Sequence, residues 1–270
     1  MRKKACNELT EIINIVPIAP SSVYSRKMIR ELWASPEHQN DSLMTTLFLV
    51  GLPSSSQFQA IIDKESKDFH DIIQVAFIDS YLNLTLKTLS ILHWTENFCP
   101  NASWILKSDE DVFVNAFALK DYLHSISNGK FLRKAFVCRM NNHLKVCRSE
   151  NECLAKWIIP KTLYPGDYYP AYCNGPAYVI SSPLARKIFE SANKTHPFLM
   201  EDVYYTGILA KDHDPRYISL SRRSFPSKVT GLRRFHWSGK SLFISDVEKV
   251  QGNSRILWNK ILENYHLRKK

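Results

Sequence analysis

Between residues 47 and 138, short apolar runs alternate with stretches whose apolar residues recur every third or fourth position, and this alternation constrains the fold most. Residues 47–51, 72–77, 104–106 and 135–138 are rich in aliphatic and aromatic side chains and are bounded by turn-forming residues, which reads as buried strands. Between them, Ser54-Ser55-Ser56 opens a stripe through Phe58, Ile61 and Ile62. Residues 83–97 carry Leu86, Leu89, Ser90 and His93 on one side, and residues 117–123 repeat the pattern, so each reads as a helix. An earlier helix starts at Ser21-Ser22, carries Val23, Met28, Ile29 and Leu32, and stops near Ser35-Pro36. Strands alternating with helices fold as a parallel sheet covered on both faces. Ligands then bind beyond the carboxyl ends of the strands.

The second half differs. Residues 139–170 are polar and aromatic; residues 178–180 form a short strand; Ser182-Pro183 opens a helix that buries Leu184, Ala185, Ile188 and Phe189. Glu201-Asp202 opens another through Val203, Tyr204, Ile208 and Leu209. With 44% hydrophobic residues among 270, the chain can bury a core and fits one large α/β domain or two small ones. The expected organisation is a loose entry segment over 1–20, a single domain over 21–245 and a basic extension over 246–270.

One polar cluster stands out. Asp109, Glu110 and Asp111 follow the apolar run 104–106 directly. Carboxylates at a buried strand end repel one another and lose hydration, so something must offset them. A hard divalent cation carrying a phosphate does so, and oxygen-only ligands suit magnesium or manganese. The plainer alternative is an acidic surface turn. Asp202 reads either as helix N-terminal charge, which the helix dipole favours, or as a general base. His236, between Phe235 and Trp237, reads as a packed core histidine or as one imidazole ligand. Arg26, Lys27 and Arg30 on the first helix are solvent-facing charges or counter-charge for a diphosphate.

The formal charge of +10 suits nucleic acid, an anionic membrane surface, a phosphorylated substrate, or simply a solvated basic face. No nucleic-acid recognition motif accompanies it. Six cysteines occur without a CxxC pair or zinc spacing; their pairing is open, and free buried thiols are an alternative. Sequons start at Asn40, Asn83, Asn101 and Asn193 and lean toward a secretory route. Residues 12–18 are too short and too broken by Asn14 and Pro17 to span a bilayer, so the expectation is a soluble chain or one whose anchor lies outside this sequence. Glycine-rich nucleotide loops, the serine-hydrolase elbow and the HExxH zinc motif are all absent.

Several longer motifs occur in order. Arg26-Lys27-Met28-Ile29-Arg30-Glu31-Leu32-Trp33 resembles Arg-x-x-Ile-Arg-x-Thr-Trp, with Leu32 in place of Thr. Glu65 to Ile73 and Phe77 to Thr88 follow, then Trp94, Cys99-Pro100-Asn101-Ala102 and Lys107 to Asn115. Tyr169-Pro170-Ala171-Tyr172-Cys173-Asn174-Gly175, Tyr178-Val179-Ile180-Ser181 and Glu201 to Gly207 complete the set. Together they resemble glycosyltransferase family 31, the β-1,3-galactosyltransferase family. The resemblance implies a GT-A type fold with a mostly parallel central sheet and helices on both faces. It implies an inverting hexosyltransferase that moves a sugar, galactose foremost, from a UDP-sugar to a glycan acceptor on a glycoprotein or glycolipid with manganese as cofactor. Asp109 and Asp111 fall on the Asp-x-Asp metal motif, Asp202 on the catalytic base, and His236 on a metal-binding histidine. Arg26, Arg30, Asp79 and Asp109 fall on the nucleotide pocket. The resemblance further implies membrane association in the Golgi and no nucleic-acid partner. Glu110 stands where the family usually has Asp, and Pro176-Ala177 where it often has glycine-containing pairs before Tyr-Val. Glu110 keeps the charge and leaves Asp-x-Asp intact, so metal binding is expected to survive; Pro176-Ala177 and the lack of a visible anchor keep a non-catalytic binding or scaffold protein on the same fold as the competing reading.

Overall fold

In the computed structural model, which describes residues 6, 8–127, 130–226, 241–245 and 253–269, the apolar runs lie side by side. They form β2 (Met44–Leu52), β3 (Ile72–Ile78), β4 (Trp104–Ser108) and β6 (Ala135–Asn141). With β1 (Ile12–Pro17), β7 (Tyr172–Ser181) and β8 (Arg216–Ser219) they make one seven-stranded sheet of order β3-β2-β1-β4-β7-β6-β8. Only β7 runs against its neighbours; β1, β2, β3 and β4 pair in parallel, as do β6 and β8. The mostly parallel α/β architecture expected of a GT-A fold is present.

The alternating faces of the strands explain why helices cover both sides. Ile13 and Ile15 of β1, with Leu47, Leu49 and Ile105, face a core closed by α4 (Leu84–Phe98) and α6 (Ser182–Ala192). Ile12 and Val16, with Phe48, Val50 and Leu106, face the other core. There α1 (Val23–Glu31), α3 (Ser56–Phe69) and α5 (Ala116–Ile126) supply Ile29, Ile62 and Phe117.

Both chain ends are more integrated than expected. The stretch expected as a loose entry contains β1, which sits mid-sheet and is buried along its whole length. A strand buried on both faces is a continuous apolar run, and Asn14, the polar residue that seemed to break it, is satisfied inside the sheet. Its amide donates to Thr46 Oγ1 at 3.4 Å, and its carbonyl accepts from Ser108 Oγ at 3.0 Å. Asn14 thereby ties β1 to the carboxyl end of β4. At the other end, the helix Asn253–Lys269 buries Leu257, Trp258 and Ile261. Trp258 and Tyr265 stack on Phe117 of α5, with ring centroids 5.8 and 3.9 Å apart. The basic extension is therefore a docked helix, because its apolar residues supply a face that α5 lacks.

All six cysteines pair, as Cys6–Cys99, Cys138–Cys173 and Cys147–Cys153, which replaces the free-thiol alternative. The first ties the segment before β1 to the end of α4, the second joins β6 to β7, and the third closes a short loop.

Candidate active site

The acidic cluster takes its place from β4 and β7. These strands pair antiparallel, with Lys107 opposite Tyr178 and Ser108 opposite Ala177. As β4 ends, the Asp109 N–H donates to Pro176 O at 2.8 Å, and a tight turn follows in which the Val112 N–H donates to Asp109 O at 3.1 Å. The chain then re-enters the core at β5 (Phe113–Val114), paired with β9 (Phe243–Ile244). Asp109 and Asp111, but not Glu110, line a cleft of about 980 Å³ beyond the carboxyl end of β4.

The cluster contains its own counter-ion. Lys107 is 3% exposed, and its ammonium lies 2.5 Å from Asp109 Oδ1, 2.8 Å from Gly175 O and 3.6 Å from Glu201 Oε2. Burial opposes its charge, but Asp109, Glu201 and Asp202 outweigh burial and hold its pKa well above the ordinary lysine value. Burial in turn raises the pKa of Asp109, against the pull of Lys107.

Glu201 and Asp202 open a helical turn, α7 (Glu201–Val203), that continues as a wide π-helical turn over Tyr204–Ile208 rather than as regular helix. That turn is tied to β7: the Cys173 N–H donates to Thr206 Oγ1 at 2.8 Å, and Thr206 Oγ1 donates to Asp202 O at 2.6 Å. The two acids live in different surroundings. Glu201 is buried, and its Oε1 accepts from Tyr178 OH at 2.6 Å and Thr88 Oγ1 at 2.8 Å. Asp202 lines the cleft; its Oδ1 accepts from the Val203 N–H at 2.9 Å, and its Oδ2 lies against Gly175. Burial, then repulsion from Glu201, pushes the Asp202 pKa to about 7; the Val203 N–H and Lys107 partly offset this and Asp109 adds to it. Two neighbouring carboxyls with divergent roles are the arrangement that separates a fixed counter-ion from a proton acceptor.

Asp109 and Asp111 supply hard oxygen donors at one cleft wall. Among the described residues no cluster of three or more His, Cys, Asp or Glu is poised for a metal, and His236 lies outside the described residues. The pair fits a cation that takes one or two protein carboxylates and completes its shell with phosphate oxygens and water.

Arg26, Arg30 and Asp79 are not among the residues that line this cleft. Arg26 is fully buried: its guanidinium holds Glu65 through two bonds of 2.8 Å and donates to Ala19 O at 2.9 Å and Pro20 O at 3.1 Å. It braces the loop leaving β1. Arg30 pairs with Asp71 at 2.7 Å and with Glu65 at 2.7 Å and stacks over Phe69. Asp79 accepts from the Gly51 N–H at 2.7 Å and from Lys87, whose ammonium also donates to Ile18 O at 2.9 Å. This bracket gathers the carboxyl ends of β1, β2 and β3. Lys107 and Glu201 received no role from sequence reasoning. The available signal was a lysine inside an otherwise apolar strand immediately before acids. Trp157, which lines the cleft with Tyr169 and Tyr172 of the motif over 169–175, received no role either, because residues 139–170 show no periodicity.

Comparison with known proteins places these features in a family context. A model of the family described as galactosyltransferase matches residues 24–221. The chain is 32% identical over 210 residues to "Beta-1,3-galactosyltransferase 2" of Homo sapiens, covering 74% of this chain and 47% of that protein. It is 36% identical over 180 residues to "Beta-1,3-galactosyltransferase 1" of Mus musculus, covering 67% of this chain and 54% of that protein. The chain thus spans about half the length of the curated relatives it matches. Among solved structures, a glycosyltransferase involved in glycosylation of the major capsid of PBCV-1 aligns with a TM-score of 0.46 and 13% identity, over 91% of this chain and 98% of that one.

Proposed function

The chain belongs to the galactosyltransferase family, and from that premise we propose that it is an inverting hexosyltransferase that takes a sugar, galactose foremost, from a UDP-sugar to a hydroxyl of a glycan, forming a β-1,3 linkage. The observation that carries this reading is Asp202: a carboxylate on the cleft wall whose pKa is pushed to about 7, beside a Glu201 engaged elsewhere. A general base works best when its pKa lies near the operating pH.

Asp202 takes the proton from the acceptor hydroxyl, and that oxygen bonds to the anomeric carbon as the bond to the UDP oxygen breaks. Attack from the face opposite the leaving group inverts the anomeric centre. Asp109 and Asp111 would hold a manganese ion, which when bound supplies positive charge to the departing diphosphate. Lys107 keeps the carboxylates of this wall in place without entering the reaction. Gly175 leaves room for the base: a Cβ there would lie 3.0 Å from Asp202 Oδ2. Gly175→Ala should therefore displace the base and lower kcat roughly tenfold, since sub-ångström misplacement is costly. UDP affinity should stay unchanged, and equal kcat values for the two proteins would refute the placement.

The discriminating experiment is UDP release from a panel of UDP-sugars and glycan acceptors, with and without manganese. Manganese-dependent release with UDP-galactose is expected. Manganese-dependent UDP binding with no release from any donor would favour the non-catalytic reading instead.

The Golgi lumen is the proposed compartment, because three disulfides need an oxidising environment. No helix among the described residues is long and apolar enough to cross a membrane. The sequons differ in access. Asn101 and Asn193 lie on exposed turns, whereas Asn40 sits within α2 (Pro36–Ser42) with Ser42 buried, and Asn83 donates to Ile78 O at 2.8 Å. Protein expressed through the secretory route should carry glycans at Asn101 and Asn193. Peptide mass spectrometry after glycosidase treatment checks this; unmodified asparagines at both sites would count against the compartment.

A further inference from the structure

Away from the catalytic cleft, a second groove of about 520 Å³ opens at the amino end of β4. Grooves of about 300–1,000 Å³ hold small molecules. Three connections meet there: the turn before β4, the link between α5 and β6, and the step from β7 into α6. Trp104 opens β4 and Asp109 follows its last residue, so at about 3.3 Å per residue the groove lies about 16 Å from the acids. It takes no part in the chemistry proposed for the cleft.

Its rim carries a glycosylation sequon. Asn101 and Ser103 both line the groove and both are exposed, whereas Ala102 between them is buried. The turn that presents Asn101 is fixed on both sides. Cys99 is bonded to Cys6, the Ala102 N–H donates to Cys99 O at 3.2 Å, and the Ser103 N–H donates to Glu11 O at 2.9 Å. The start of α6 is held to the same turn: the Ser182 N–H donates to Ser103 O at 3.0 Å, and the Ser182 hydroxyl to Ala102 O at 2.5 Å. Anything attached to Asn101 is therefore delivered to the groove's edge. Asn193, the other sequon on an exposed turn, is not among the residues that line this groove.

The lining suits a sugar. Pro100, Leu132 and Pro183 offer apolar surface, and Ser127 and Arg133 offer polar groups. Arg186 is neutralised by Glu96 at 2.8 Å, which leaves the groove weakly cationic. A neutral molecule with an apolar C–H face and hydroxyls at its edge matches such a surface better than a polyanion does.

We propose that this groove is the seat of a glycan carried by Asn101, whose first N-acetylglucosamine packs between the turn before β4 and the start of α6 and clamps the three connections together. This rests on the secretory compartment proposed above. There the Asn101 amide nitrogen loses a proton and bonds to C1 of the sugar, as the lipid-linked diphosphate that carried the oligosaccharide departs. Once attached, the sugar is held at high effective concentration beside the groove, so individually weak contacts suffice to seat it.

Protein secreted with high-mannose glycans tests the seat. Endoglycosidase H leaves one N-acetylglucosamine on each modified asparagine, whereas Asn101→Gln and Ser103→Ala each abolish the sequon through a different residue. The trimmed protein should melt like the intact one. Both sequon variants should melt about 2–4 °C lower, the shift that the worth of one net hydrogen bond gives in a chain of this size, and Asn193→Gln should not. Peptide N-glycosidase F should release the Asn193 glycan from the folded protein but the Asn101 glycan only after denaturation. Trimmed protein that melts as low as the variants, or an Asn101 glycan whose loss leaves the Tm unchanged, would overturn the seat and leave the compartment standing. An unmodified Asn101 beside a glycosylated Asn193 would do the same. Both asparagines unmodified would sink the compartment and the seat together.

Discussion

Asp202→Asn is expected to lower kcat by about two to four orders of magnitude, the usual contribution of a general base, and to leave UDP affinity unchanged. Asparagine keeps the bond that Asp202 Oδ1 accepts from the Val203 N–H, so the loss reports proton transfer rather than local structure. The wild-type rate should rise with pH through about 7, because the base works only when deprotonated and its pKa lies at about 7. The variant's residual rate should lose that inflection. Stability should move the opposite way. The folded pKa of Asp202 lies above its ordinary value of 3.8, so the folded state binds its proton more tightly than the unfolded chain does. The group's contribution to stability is therefore fullest below about pH 4 and is lost as pH rises to about 7. Asp202→Asn removes that loss and should melt higher than the wild type at pH 8, with the gap closing toward pH 4. A variant that turns over normally, or melts lower at pH 8, would show that Asp202 has a structural role instead.

Lys107→Met should be the most destabilising change in the site. The ammonium is buried and holds Asp109, Glu201 and Gly175 O together. Removing one partner of a buried ionic group leaves uncompensated charge and costs about 3–5 kcal/mol. For a chain of this size that corresponds to a fall in Tm of about 10 °C. Adding Glu201→Gln to Lys107→Met should recover part of the loss, because one stranded carboxylate is then gone. Thermal denaturation of the two single variants and the double variant isolates this coupling. A fall of less than about 1 kcal/mol, the value of a surface ion pair, would mean that the lysine is dispensable.

Legibility varied along the chain for physical reasons. Strands β2, β3, β4 and β6 were readable as apolar runs bounded by turn-forming residues, and the helices between them because a three-to-four-residue period records which face is buried. β1 was not readable in this way: Asn14 and Pro17 interrupt its apolar run, and Asn14 is acceptable only because Thr46 and Ser108 come from other strands. The C-terminal helix had a basic composition that hid the apolar face laid against Phe117. Arg26 and Arg30 were recognisable as a motif, but their partners Glu65 and Asp71 lie about forty positions away, and only folding shows that these charges brace the β1 loop.

The amino-acid sequence alone determined the alternating architecture, the order of the family motifs and the identity of the acids at the end of β4, because those depend on local periodicity and residue type. Only the tertiary structure decided which acid is engaged and which lines the cleft. Glu201 and Asp202 are adjacent in sequence, yet one meets Lys107, Tyr178 and Thr88 while the other lies against Gly175. Burial and through-space charge separate them, and those quantities exist only once distant segments of the chain are packed together.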